Sequence, residues 1–191
     1  MKMKGTIKIA GKMPNFWGKY MKKVPENVKQ IIYNQYYSID TLYIYCDCSM
    51  SIEKSKMSIA TSYIQNGFVT VKSQVIYPPS DCLEKNVYGE LQAIISGLSN
   101  FEKYMNNESK KIVIYSDVND IIKILNKQVT FKKVTSLMKL QNNLIQLFQN
   151  KRIENPNLSF SIEYLSRDLK PFNPFLKSAH NGARKALQNL V

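Results

Sequence analysis

An α/β fold, with helices layered on a single sheet, is predicted by three observations along this chain. Three consecutive β-patterned runs open at Thr41, helical periodicity then alternates with short apolar runs, and two of the strands close on an aspartate, Asp47 and Asp117. The coarse order is β-β-β-α-β-α-α-β-α.

The first run, "TLYIYCDC", sets Leu42, Ile44 and Cys46 against Tyr43, Tyr45 and Asp47, the two-residue period of a strand that ends at the acid. "MSIATSYIQNGFVTVKSQVIY" supplies two more strands around Asn66-Gly67, the dipeptide that best provides the positive φ angles of a tight hairpin. Residues 87–105 then place Leu91, Ile94, Ile95, Leu98, Phe101 and Met105 at helical spacing. "KKIVIYSD" reads as a short buried strand ending in Asp117, with a helix over "VNDIIKILNK" directly after it. A strand, a helix and a strand in that order need a crossover, so this strand is expected to run parallel to a neighbour. A further helix is expected over 134–150, a fifth strand over "LSFSIEYL", and a closing helix containing "SAHNGARKALQNL".

The 191 residues, 44% hydrophobic, suffice for one domain with a full core plus an appendage. We expect a basic N-terminal extension over residues 1–40 and a main domain over 41–191. Residues 1–38 carry eight lysines against one acid, together with Phe16, Trp17 and Tyr20. This interleaving suits backbone contacts and base stacking on nucleic acid, and equally suits a cap that packs its aromatics on the main domain.

The formal charge of +13 favours phosphate-bearing partners, nucleic acid foremost, over a merely solvated lysine surface. Cys46, Cys48 and Cys82 are an odd set without the second pair or histidine cluster of a zinc site, and read as reduced core residues. No basic start leads into an apolar run, and none approaches the ~20 apolar residues of a membrane span. A cytoplasmic monomer with no membrane contact is expected.

Ligands of open α/β sheets collect beyond the carboxyl ends of parallel strands, so Asp47 and Asp117 meet there if their strands are neighbours. Glu90 precedes Ile94 and Leu98 by four and eight residues, on the inward stripe of its helix, where a charge needs a partner. Three crowded carboxylates repel one another unless a cation neutralises them, and an all-oxygen set suits Mg²⁺ or Mn²⁺. On a basic protein, phosphodiester hydrolysis is the natural chemistry, because paired ions stabilise both attacking and leaving oxygens.

Four local stretches, in order, resemble the type I ribonuclease H family. "IYCDCS" resembles its first-strand Asp motif, "NVYGELQAIISGL" its Asn-x-x-x-Glu-Leu-x-Ala helix, "IVIYSDVNDII" its fourth-strand motif and "AHNGARKAL" its closing helix. The resemblance runs from about Thr41 to the C-terminus. It implies a five-stranded mixed sheet in the order 3-2-1-4-5, and metal-dependent cleavage of the RNA strand of RNA–DNA hybrids to 5′-phosphate and 3′-hydroxyl ends. Two divalent ions would be held by Asp47, Glu90 and Asp117.

The fourth acidic position is taken by His180, the only histidine, whose neutral imidazole can ligate a metal or assist proton transfer. Asn86 would contact the hybrid where 2′-hydroxyls distinguish RNA from DNA. Ser49 would contact substrate beside the first acid, and Arg167 a phosphate. "MSIEKSK" replaces the Gly-rich turn usual after the first acid, and "SRDLKPFNPFLK" lacks the histidine many members carry there. With one long helix and no separate basic protrusion, grip on the hybrid falls to Lys132, Lys133 or the N-terminal extension. The competing readings are a binding protein on the same fold that has lost catalysis, and a DNA-directed enzyme of the wider superfamily.

Overall fold

The computed structural model describes residues 13–51 and 55–189. Residues 1–12 of the extension and part of the "MSIEKSK" turn lie outside them.

Strands β1 (Thr41–Ser51), β2 (Lys56–Gln65) and β3 (Phe68–Ile76) form the antiparallel half of the sheet. The β2–β3 turn is tight because Asn66 and Gly67 both adopt positive φ, +48° and +80°. Helix α1 (Glu26–Tyr36) precedes β1, and α2 (Asn86–Asn100) follows β3. After it come β4 (Lys111–Ser116), α3 (Ile121–Leu125), α4 (Thr135–Glu154), β5 (Ser159–Tyr164) and α5 (Pro174–Gln188). The sheet order is β3-β2-β1-β4-β5, with β4 parallel to both β1 and β5.

Alternation within β1 sends residues to two cores. Leu42, Ile44, Cys46 and Cys48 pack with Leu91, Ile94 and Leu98 of α2 and Leu140 and Leu144 of α4. Tyr45 packs on the opposite face with Val28 and Ile32 of α1 and Phe175 of α5. All three cysteines are buried and free.

Several boundaries differ from the expectations above. Strand β1 does not stop at Asp47 but runs on to Ser51, because Cys48, Ser49 and Met50 continue to pair with Ile59, Ser58 and Met57 of β2. Helix α2 ends at Asn100 rather than 105, and the buried Phe101 opens a 3₁₀ turn, its carbonyl bonded to the Tyr104 N–H. Helix α3 is a short Ile121–Leu125 segment that does not span all of "VNDIIKILNK". The Ser116 hydroxyl accepts the Val118 N–H and holds a turn before it, and Lys127 at φ +57° closes it. Helix α4 continues past 150 to Glu154.

The described part of the N-terminal segment lies against α5. Phe16 packs edge-on to Phe175 and Trp17, and the Trp17 indole donates to the Phe172 carbonyl at 2.7 Å. Tyr20 instead stays exposed, with the Lys19 and Lys23 ammoniums 5.4 and 5.9 Å from its ring. Among the described residues no helix is long and apolar enough to cross a membrane.

Candidate active site

Asp47 sits two residues beyond Tyr45, the last residue of β1 that pairs with β4, where the two parallel strands diverge and open a crevice. Across the antiparallel ladder its partner is Ala60, which clusters with Ala179 and Ala183 of α5. These small side chains and Gly182 let α5 lie close on the sheet. That approach brings His180, next in sequence to Ala179, to Asp47, with Nδ1 2.8 Å from Oδ2. Asn173 fixes where α5 starts, since its Oδ1 accepts the N–H groups of Phe175 and Leu176.

Glu90 reaches the same region from the other face of the sheet. Gly89 permits the approach, because a Cβ there would stand 2.8 Å from the Cys48 sulfur. Glu90 Oε1 lies 3.4 Å from the Cys48 thiol and accepts a long bond from Asn86 Nδ2 at 3.5 Å. Among the described residues its buried Oε2 has no hydrogen-bond partner. Burial, and after it the Asp47 charge, pushes the Glu90 carboxyl up to about 8. Burial also raises Asp47, against the lowering effect of the His180 hydrogen bond. The Cys48 thiol is pushed up by burial and by Glu90, which keeps it protonated.

Asp117 follows β4 directly and faces a cleft of about 340 Å³ lined also by Asp47, Lys170, Lys177 and His180. Its carboxylate is ion-paired with Lys170. Glu90 is not among the residues that line the cleft.

The fold therefore gathers Asp47, Glu90, Asp117 and His180 at the end of the parallel ladder, with Asn86 hydrogen-bonded to Glu90 and Ser49 two residues from Asp47 on the same strand. Arg167 is exposed in the loop after β5 and makes no ion pair among the described residues. Lys170 and Lys177 line the cleft although sequence reasoning does not single them out. Nothing local separates them from the other lysines, and the one available signal is their place in "SRDLKPFNPFLK", the stretch that departs from the family pattern by lacking a histidine.

As to a divalent ion, among the described residues no group of three His, Cys, Asp or Glu side chains is arranged to hold one. The donor chemistry nonetheless fits on one side. Asp47 and Glu90 are buried carboxyl groups, Glu90 raised by burial and by the Asp47 charge, and among the described residues Glu90 Oε2 has no hydrogen-bond partner. On the other side, the Asp117 carboxylate already has a cation in the Lys170 ammonium.

Comparison with solved structures finds the same architecture. The chain is similar to RNase H1 from the halophilic archaeon Halobacterium salinarum NRC-1, with 15% identity, TM-score 0.52 and coverage of 78% of this chain and 98% of that one. It is similar to LC11-RNase H1, isolated from compost by a metagenomic approach, with 17% identity, TM-score 0.51 and coverage of 78% and 99%. A third likeness is the N-terminal RNase H domain of rv2228c from Mycobacterium tuberculosis, with 13% identity, TM-score 0.50 and coverage of 80% and 99%. No family model matches the sequence, and no curated protein matches it. At these identities the likeness establishes a ribonuclease H-like fold.

Proposed function

We propose that this ribonuclease H-like chain is a metal-dependent endonuclease that hydrolyses the RNA strand of RNA–DNA hybrids. The observation that carries the reading is that Asp47 and Asp117, from adjacent parallel strands, line one cleft while the buried Glu90 lies within the field of Asp47. Asp47, Glu90 and Asp117 would hold Mg²⁺ or Mn²⁺, two ions where the family resemblance holds in full. Bound there, the metal supplies charge neutralisation for in-line attack of water, leaving 5′-phosphate and 3′-hydroxyl ends.

The chain's own residues take the remaining tasks. With Nδ1 engaged by Asp47, His180 keeps Nε2 to hold or move a proton at the cleft, where its side chain is half exposed. Asn86, at the start of α2, suits a 2′-hydroxyl contact, and Ser49 and Arg167 suit contacts further along the strands. Lys177 on the cleft wall, Lys132, Lys133 and the Lys19–Lys23 stretch around Tyr20 would grip the phosphate backbone. Three free, buried cysteines support a reducing cytoplasmic setting, and we read the active form as a monomer.

A second reading, a binding protein without catalysis, is favoured by the Lys170 pairing and by a histidine at the fourth acidic position. Cleavage of labelled RNA, single-stranded, in RNA duplex and in hybrid, with Mg²⁺ or Mn²⁺, separates the two. Hybrid-only cutting that disappears in Asp117→Asn supports the hydrolase. Tight binding in EDTA with no cutting under either metal supports the silent binder.

A further inference from the structure

Lys170 is held in place rather than waving in solvent. It opens a 3₁₀ turn, Lys170–Phe172, with its backbone N–H bonded to the Ser166 carbonyl at 3.2 Å and Pro171 next in sequence. Trp17 grips the far end of that turn through the Phe172 carbonyl, and Asn173 immediately afterwards caps α5. The side chain lies over the Tyr164 ring, 4.8 Å from its centroid, donates to the Tyr164 hydroxyl at 3.3 Å, and is only 26% exposed. From this anchorage the ammonium meets Asp117, and its field also reaches Asp47 and Glu90.

We propose that the Lys170 ammonium fills one of the two cation places of the carboxylate cluster, so that the chain loads a single divalent ion, at Asp47 and Glu90. This inference rests on the hydrolase reading and amends the number of ions it uses. A divalent ion approaching Asp117 has to displace an ammonium that its tethered backbone cannot carry far, and it is then repelled by that charge at short range. At Asp47 and Glu90 the one salt-bridge candidate among the described residues is the His180 imidazole on Asp47, and the buried Glu90 Oε2 has no hydrogen-bond partner there. The cluster is thus divided into a side neutralised by the chain itself and a side that needs an ion. Lys170 contributes one positive charge where a second ion would contribute two, so the loaded site stays less positive than a two-ion site.

The test counts Mn²⁺ bound to the full chain without nucleic acid, by electron paramagnetic resonance of the free ion together with titration calorimetry. Wild type, Lys170→Met and Lys170→Arg are compared after circular dichroism and thermal melts establish that each folds. Wild type and Lys170→Arg are expected to bind one Mn²⁺. Lys170→Met is expected to bind two, its second at least about tenfold tighter than any second ion taken by wild type. Equal numbers and equal affinities in wild type and Lys170→Met overturn the proposal and leave the hydrolase reading standing. No Mn²⁺ bound to either protein overturns the hydrolase reading together with it.

Discussion

Glu90 combines a buried position with an unpartnered oxygen, and its protonation is where this site touches stability. Its carboxyl is raised from 4.5 to about 8, first by burial and then by Asp47, so the folded protein holds that proton more tightly than the unfolded chain. The resulting stability is full below the unfolded value and is lost as pH rises through the folded one. Asp47, also raised by burial, acts in the same direction. The metal-free melting temperature should therefore fall from about pH 5 to about pH 8, and Glu90→Gln should flatten much of the slope. At the alkaline end, where the wild-type carboxyl has to ionise in its buried place, the Glu90→Gln protein should be the more stable by on the order of several kcal/mol. Melts across pH in EDTA check this, and a Glu90→Gln slope as steep as wild type would contradict it. Glu90 is legible as a site residue because its spacing to Ile94 and Leu98 sets a charge on an apolar stripe. Lys170 is not, because its role depends on a contact with Asp117, far away in sequence, that no local pattern announces.

At the scale of elements, two close approaches decide where the acids stand. Helix α2 can bring Glu90 in only while position 89 lacks a side chain, since an added Cβ would come within 2.8 Å of the Cys48 sulfur and 2.9 Å of its Cβ. Gly89→Ala should cost about 1–3 kcal/mol in a denaturant melt and weaken metal binding, because the helix must retreat from β1. Helix α5 depends in the same way on its start. Asn173→Ala removes the side-chain cap and should lower stability by about 1 kcal/mol, with His180 less firmly held on Asp47. The strands and their hairpin are readable from alternation and from Asn66-Gly67, and the crossover logic correctly makes β4 parallel to a neighbour. The order 3-2-1-4-5 comes from the family resemblance. The extent of β1 past Asp47 is not readable, since "CSMS" has no strong strand signal and is held extended by its pairing with β2. Helix α3 is overestimated because apolar spacing in "VNDIIKILNK" says nothing of the Ser116 turn or of a positive φ at Lys127.

For the whole molecule, a net charge of +13 makes salt the controlling variable of any nucleic-acid encounter. Hybrid affinity measured in EDTA should fall steeply between about 50 and 200 mM salt, as bound phosphates release their counterions. Replacing Lys19, Lys22 and Lys23 together by Ala should reduce the slope of log K against log salt by up to about three, one for each of these lysines that sits on a phosphate. An unchanged slope would remove the Lys19–Lys23 stretch from the interface.

The Trp17 indole, bonded to the Phe172 carbonyl, belongs to the only tryptophan in the chain. It grips the same short turn that Lys170 opens, so its emission colour is a private optical reporter on that turn, read without label or substrate. If an ion draws Asp117 away from Lys170, the turn relaxes and the indole's surroundings change. A Mg²⁺ titration followed at the red edge of excitation should then move the emission of wild type at high ion concentration, while Lys170→Met should show no such late phase.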